Sequence, residues 1–466
     1  MELSDDISLL KDLVITLLSR IDALEAENAS LKSENADLRL RLHQNSGNSH
    51  KPPSSDGLTK KPALPKPSGK KTGGQHGHKG KTLEMVAQPD KIVLHHAPCC
   101  VCCSRVFEGS DVQAIIQKRQ VFDIPPPRIE VTEHQIGVIT CCGQAHQGLF
   151  PDAVSQPVQY GTKIKALSVL LNTDYKIPVE KIEQLFGDLY ACSFNESTVL
   201  SANTTCFEAL EPTEQVIKET ILNAPVAHFD ETGMRVCGQL QWFHVASTGL
   251  FTYLFVHPKR GKQALQASFS LFSLLKDFKN WAIHDCWQSY FDFDNCQHGL
   301  CNAHILRELQ ALIENGSIWA NQMHFLLLEL YNTSQKATQI IADKEIWLQK
   351  YQDICQIADE EEPPPIFGRR GKPKNSKGRN LLNRLVEHQH GILAFAFNEH
   401  IPFTNNQAER DIRCLKTKQK AANSFRTIKG AQNYARIQSF VSTLRKHNRN
   451  VFHNLINSPC NFTQRQ

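Results

Sequence analysis

The 466 residues carry 52 Lys and Arg against 47 Asp and Glu, with 41% hydrophobic and 21% charged residues. A chain this long exceeds one typical domain and should divide into two to four folded parts, a composition that excludes a wholly disordered or collagen-like polymer. No run of about 18 apolar residues occurs, so no transmembrane helix is expected, and an acidic, heptad-bearing start does not read as a secretory signal. Fifteen cysteines in that context point to a reducing, cytoplasmic setting, where clustered thiols bind metal more often than they pair.

Residues 1–44 repeat every seven positions. Ile7, Val14, Ile21, Asn28, Asn35 and Leu42 make one seam; Leu10, Leu17, Leu24, Leu31 and Leu38 make a second. These are the a and d positions of a coiled coil, and Asn at a favours a two-stranded, in-register pair. A homo-oligomer is expected, the plainer alternative being an amphipathic helix packed on its own chain. From 45 to 82 the period is lost. Lys51, Lys60, Lys61, Lys66, Lys70, Lys71, Lys79 and Lys81 stand there against the single acid Asp56. Such a stretch cannot bury enough apolar surface to order itself, and a cationic arm can displace counterions from DNA phosphates. An inert linker would share the composition.

Residues 83–155 hold a cysteine cluster. Cys99, Cys100, Cys102 and Cys103 give two overlapping C-x-x-C pairs, and Cys141, Cys142 and His146 follow a strand-like run from Glu130 to Thr140. Thiolate and imidazole suit tetrahedral zinc, so a structural Zn2+ site drawn from these seven groups, in a module that binds DNA, is expected. Buried reduced cysteine is the bland alternative. Residues 156–222 read as helices, with a loose helix-turn-helix pattern around the break at Cys192-Ser193-Phe194, where Asn195 or Ser197 caps the second helix.

From 223 the pattern turns to strands. An apolar run ends at Asp230-Glu231, and two aromatic, β-branched runs, 241–247 and 251–257, flank Thr248-Gly249 as a hairpin turn. Helix is expected from Lys262 to Leu275. A second apolar strand then ends at Asp285, and a strand-like piece at 298–302 leads into helix at His304. This alternation suits an α/β core, a mixed sheet flanked by helices. Helical sequence from 304 breaks at 360–365 before the cations Arg369, Arg370, Lys372, Lys374, Lys377 and Arg379, and another helix begins near Leu381. Thr404 to Arg413 opens a long amphipathic helix, with Asn405 or Asn406 as cap and Glu409 and Arg413 on one face.

Asp230 and Asp285 thus end two apolar strands, and Glu409 sits on a capped helix. Two strand aspartates and a helix glutamate match the arrangement that clamps two divalent metals for in-line attack on a phosphodiester, and hard oxygen ligands suit Mg2+ or Mn2+. Glu231, alternating to the other side of its strand, falls outside that trio.

Several ordered segments carry a resemblance. They are Gln44-Asn45-Ser46, Lys51 to Gly57, Gly73 to Gly80, Asp230-Glu231-Thr232-Gly233, and His257-Pro258-Lys259-Arg260-Gly261-Lys262. Further on come His284-Asp285 with Trp287, Cys301-Asn302-Ala303-His304 with Leu306 to Leu309, Gly368 to Lys372, and Asn405 to Arg410. Over nearly its whole length the chain resembles transposases of the bacterial insertion-sequence-sixty-six family, with Cys286 and Met234 departing from the residues more usual there. The resemblance implies a DDE-type transposase whose RNase H-like core carries a helical insertion between the second aspartate and the glutamate. By it Asp230, Asp285 and Glu409 are the catalytic, metal-binding carboxylates.

The expected division is a coiled coil at 1–44, a basic linker at 45–82, a zinc module at 83–155 and helices at 156–222. The catalytic domain at 223–448, with its insertion at about 305–400, and a tail at 449–466 complete it. Double-stranded DNA, both terminal inverted repeats and target, is the expected partner, alongside accessory proteins encoded by the same element. The expected DNA contacts are Lys60, Lys61, Lys70, Lys71, Lys259, Arg260, Arg369, Arg370, Arg410, Arg413, Lys418 and Lys420. A DNA-binding protein with an idle acidic trio, or a nuclease that cuts without joining, would use the same segments.

Overall fold

The computed structural model describes residues 7–43, 45, 48, 83–266, 275–336, 344–365 and 375–457. The heptad region forms one helix, α1 (Ile7–His43). Its seam residues Val14, Leu17, Ile21, Leu24, Leu31, Leu38 and Leu42 are exposed.

Residues 83–155 carry little regular structure. Strands β1 (Val138–Cys141) and β2 (Gln144–Gln147) pair as a hairpin. Positive φ at Cys142 and Gly143 (55° and 73°) makes its two-residue turn, the conformation that fits the right-handed twist of the flanking strands. The strand expected from Glu130 is confined to that hairpin.

Helices α2 (Thr162–Thr173), α3 (Val179–Tyr190), α4 (Glu196–Ala209) and α5 (Glu211–Leu222) follow. The Asn195 side chain accepts from the backbone N–H of Ser197, so the expected cap is present. Strands β3 (Val226–Val236), β4 (Gln239–Ser247) and β5 (Thr252–His257) form an antiparallel run, and the short α6 (Lys262–Gln266) follows. Then come β6 (Trp281–His284) and β7 (Gln297–Leu300), both parallel to β3, giving a five-stranded sheet in the order β5-β4-β3-β6-β7.

Between β7 and the last helices lies a helical block: α7 (Asn302–Ile313), α8 (Ile318–Lys336), α9 (Lys344–Glu361), α10 (Lys377–Glu387) and α11 (Gln389–Phe397). It has a core of its own around Trp319, Met323, Leu327, Leu330, Tyr351 and Leu385, continuous with Ile283 and Leu300 of the sheet. Gly391 lets α11 lie against β7, because a Cβ there would meet the His298 carbonyl oxygen at 2.5 Å. Helices α12 (Asn406–Ala422), α13 (Ile428–Lys446) and α14 (Val451–Asn457) close the chain.

Strand alternation divides the sheet's side chains between two cores. Met234, Val236, Val245, Leu254 and Val256 pack on Ala408, Ile412 and Leu415 of α12 and on Tyr434 of α13. Ala227, Phe229, Ala246, Tyr253 and Phe255 pack on Ile217 and Ile221 of α5. The free edge of β5 is covered, since Ser439 and Thr443 of α13 accept from the N–H groups of Leu254 and Thr252 at 2.8 and 3.2 Å.

Two expected boundaries move. The tail beginning at 449 contains α14, whose Val451 and Leu455 are buried with Ala166, Val169 and Leu170 of α2. Helix α4 shares that core through Ala202 and Cys206, packed with Ile437 and Val441 of α13, so the 156–222 helices and the C-terminal helices form one body. Among the described residues, no helix is long and apolar enough to cross a membrane.

Candidate active site

Asp230 and Asp285 sit level with each other. Strands β3 and β6 pair in parallel up to His228 and Ile283, and each aspartate lies two residues beyond that pair. One expectation needs correcting: Asp230 does not end its strand, because β3 continues to Val236 along β4. Only the β6 side terminates there, which opens a notch beside Asp230 where the chain turns away after His284. In that turn the Asp285 side chain accepts from the Trp287 N–H at 3.0 Å, and buried His284 hydrogen-bonds the Asp285 carbonyl.

Glu409 reaches the notch from the first turn of α12. Asn405, immediately before that helix, does not cap it with its side chain, contrary to expectation. Its amide instead spans to β3, donating to the Phe229 carbonyl at 2.7 Å and meeting His228 Nδ1 at 2.9 Å. The Asn405 backbone N–H donates to Cys301 Sγ at 3.1 Å, and the Asn302 N–H donates to the Phe403 carbonyl at 3.0 Å. The start of α12 is therefore tied both to the strand bearing Asp230 and to the start of α7.

The electrostatics of the notch are unbalanced. Burial pushes the Asp230 carboxyl well above its usual range, and the charges of Glu231, Asp285 and Glu409 push it the same way. Glu409 Oε1 is buried without a hydrogen-bond partner and lies 3.9 Å from His304 Nε2. Asp230, Asp285 and Glu409, the last with an orphaned oxygen, offer the hard oxygen donors that suit a divalent cation such as Mg2+, although their ligand atoms do not all lie within 4.8 Å of one another in this structure. A second donor set adjoins it: the ligand atoms of Cys301, His304 and Glu409 lie within 4.8 Å of one another, the one such trio among the described residues.

Glu231 is the residue that sequence reasoning set aside. It does face the other side of β3, but it is buried rather than solvated, and it accepts hydrogen bonds from Tyr290 and Arg260. The Arg260 guanidinium lies 4.2 Å from the Trp287 ring centroid and 5.0 Å from that of Trp242. An acidic pair followed by an Arg between Trp-bearing segments was the available signal; strand alternation alone concealed it.

The match to known proteins decides the kinship. A family profile described as Transposase IS66 family matches residues 157–433, more than half of the chain. The chain belongs to the IS66 transposase family. It is accordingly a transposase, a DNA-processing enzyme. The IS66 match takes in all three carboxylates and begins beyond the cysteine-bearing segment. A second profile, of a family of unknown function, matches residues 6–84. No curated protein matches this chain.

The expected DNA contacts of this transposase divide into four groups. Lys60, Lys61, Lys70, Lys71, Arg369 and Arg370 lie outside the described residues. Lys259, Arg410, Arg413 and Lys420 are exposed. Arg260 is half-buried against Glu231. Lys418 is a correction: it is buried, donates to the Asn172 carbonyl at 3.2 Å, and burial lowers its pKa to about 8. It ties α12 to α2. A helix position facing the core fell within a run of surface cations, which charge counting could not separate.

Of the expected zinc ligands, Cys100 is the best prepared. The backbone N–H groups of Cys102 and Cys103 are directed at its sulfur and hold its pKa below the usual thiol value. Cys99 bridges Val106 through its backbone. Cys141 and Cys142 sulfurs lie 3.6 Å apart, and His146 stands opposite Ile139 in the hairpin. In this arrangement the two segments do not gather three ligand atoms within 4.8 Å.

Proposed function

We propose that this transposase binds the terminal inverted repeats of an insertion sequence, cleaves at the 3′ ends and joins those ends to target DNA. The observation that carries the reading is that Asp230 and Asp285 stand level on adjacent parallel strands and that Glu409, from α12, is near enough for its charge to act on Asp230. A mixed sheet with that placement supports an RNase H-like core, the helical block between β7 and α12 being its insertion.

The three carboxylates would hold Mg2+ or Mn2+. Such a pair of ions, when bound, activates the attacking oxygen and stabilises the leaving one. The protein's own part is to place the ligands. Asn405 fixes Glu409 against β3, the ladder sets Asp230, and the turn after β6 sets Asp285. Exposed Lys259, Arg410, Arg413 and Lys420, with half-buried Arg260, would supply positive charge for the phosphate backbone. The lysine arm at 45–82 and Arg369 and Arg370 belong to the same electrostatic role.

Two further parts of the proposal rest on other segments. The exposed seam of α1 supports pairing of two copies as a coiled coil, which would bring two transposon ends together. The backbone groups aimed at Cys100 support a zinc knuckle, completed by groups among Cys99, Cys102, Cys103, Cys141, Cys142 and His146. Helix α4 is assigned to the bundle rather than to DNA reading, since it carries two acids and no Lys or Arg and buries one face.

Purified full-length protein with Mg2+ or Mn2+ and labelled terminal-repeat DNA tests the reading, with Asp230→Asn alongside. Joined products that vanish in the variant are expected. Cleavage without joining would replace strand transfer by a nuclease, and binding without metal-dependent chemistry would leave a DNA-binding protein with an idle trio.

A further inference from the structure

The notch holds two chemically different donor sets that share one residue. Asp230, Asp285 and Glu409 offer only carboxylate oxygens. Cys301, His304 and Glu409 offer a thiol, an imidazole and a carboxylate within 4.8 Å of one another. Cys301 immediately precedes α7 and His304 lies one turn into it, so a single helix start supplies both softer ligands. The Cys301 sulfur already accepts the Asn405 N–H at 3.1 Å; burial pushes the thiol up to about 11, so its proton leaves only as a metal binds. His304 and Glu409 side chains remain 17% and 23% exposed, so an ion can enter from solvent and keep a water as its fourth ligand.

We infer that Cys301, His304 and Glu409 form a regulatory site for a soft transition metal, Zn2+ or its probe Co2+. Occupancy there withdraws Glu409 from the hard-metal centre. Tetrahedral zinc with bonds of about 2.0–2.3 Å separates its ligands by roughly 3.3–3.6 Å. The observed 3.9 Å between His304 Nε2 and Glu409 Oε1 therefore needs only a small closure. Ligand softness selects the metal: sulfur and imidazole favour zinc over magnesium, whereas the three carboxylates favour magnesium. One glutamate cannot serve both ions in full, so micromolar zinc antagonises the Mg2+-supported reaction. This inhibitory consequence rests on the function proposed above; the metal site itself does not.

The test separates the two. Full-length protein is titrated with Co2+, and the thiolate-to-cobalt charge-transfer absorption is compared with that of Cys301→Ser, His304→Ala and Asp230→Asn. The knuckle cysteines contribute equally to all four. Wild type and Asp230→Asn should show one cobalt equivalent more than Cys301→Ser. His304→Ala, which keeps the thiol, should bind that equivalent more weakly by more than the about 10–100-fold typical of outer-shell changes. Identical cobalt stoichiometry and absorption in all four proteins overturns the site. In strand-transfer assays, Zn2+ should inhibit wild type at concentrations that spare His304→Ala, relative to each protein's zinc-free rate. Equal inhibition of both overturns the antagonism while leaving the Co2+ result standing.

Discussion

Arg260 closes on Glu231 with two of its nitrogens. Nε and Nη2 donate to Oε1 at 2.9 and 2.7 Å, while Tyr290 takes the other carboxylate oxygen. The glutamate is 2% exposed and the arginine 40%, so the charge is buried on one side of the pair and open on the other. Glu231 thus fixes the Arg260 guanidinium against Trp242 and Trp287 while part of it still faces solvent. Replacing Glu231 by Ala leaves Tyr290 and Arg260 without their acceptor. After discounting for the exposed arginine, the cost should be about 1–3 kcal/mol, below the 3–5 of a wholly buried broken pair. Urea midpoints measure it. Arg260→Lys should keep stability within about 1 kcal/mol yet weaken terminal-repeat binding, because a lysine cannot make the two-pronged contact or stack on Trp287. An unchanged midpoint for Glu231→Ala would remove the pair from the account.

Asp230 carries a stability cost that a bound cation would relieve. Its carboxyl titrates above the usual range because it is buried among like charges. Sign follows directly: with the folded pKa raised, the native state holds the proton longer than the unfolded chain, so stability falls as pH rises from the ordinary aspartate range through the folded pKa. At neutral pH, Asp230→Asn should therefore melt higher than wild type without added metal, by about 2–4 °C for each kcal/mol relieved. Mg2+ should raise the wild-type Tm and move the variant far less. Equal Mg2+ responses would place the cation elsewhere.

Most of the sheet that carries the aspartates was legible in the sequence because each piece announced itself locally. Apolar runs marked β3 and β6, aromatic alternation marked β4 and β5, and an aspartate followed each apolar run. What was hidden is what depends on neighbours distant in the chain. Nothing near Asp230 says that β3 continues past it; β4 supplies that, by pairing as far as Gln239. Asn405 reads as a helix cap, yet its amide is satisfied 176 and 177 positions away on Phe229 and His228. Lys418 looks like its exposed neighbours until α2 is packed beside it. The tail helix α14 is too short to stand out by periodicity and is fixed by burial against α2.

Two buried histidines make the fold sensitive to acid. Burial lowers His244 to about 4 and His284 to about 3, against an ordinary value near 6.5. Both are held neutral, His244 stacked on Phe255 at 4.9 Å and His284 on Tyr290 at 4.5 Å. A depressed folded pKa means the unfolded chain takes up protons first. Their stability contribution is therefore present above about pH 6.5 and is lost as pH falls towards 4 and then 3. Denaturation midpoints from pH 7 down to 4.5 should fall in wild type. His244→Gln should lower the midpoint at pH 7 by about 1–2 kcal/mol while flattening the slope. A slope unaltered by the substitution would assign the acid sensitivity to other groups.

Asn405 offers the sharpest separation of placement from chemistry. It supplies no proposed metal ligand itself, yet it joins β3, α7 and α12 at the points that bear Asp230, Cys301 and Glu409. Asn405→Ala removes the amide and leaves the Phe229 carbonyl and the His228 ring without that partner. Two lost buried hydrogen bonds should cost about 2–4 kcal/mol. The chain should stay folded, since the apolar packing beneath α12, Ala408, Ile412 and Leu415 against β3 to β5, is untouched. Glu409 would lose its fixed approach to the aspartates. A displacement of about 1 Å at a reacting centre can cost roughly 10²-fold in rate, so strand transfer should drop by that order while binding of terminal-repeat DNA holds. Raising Mg2+ should restore part of the rate if the loss is one of ligand placement, because a weakened site still fills at higher cation concentration. A variant that loses DNA binding in parallel with activity, or whose rate ignores Mg2+, would make Asn405 a residue of general stability and detach Glu409 from it.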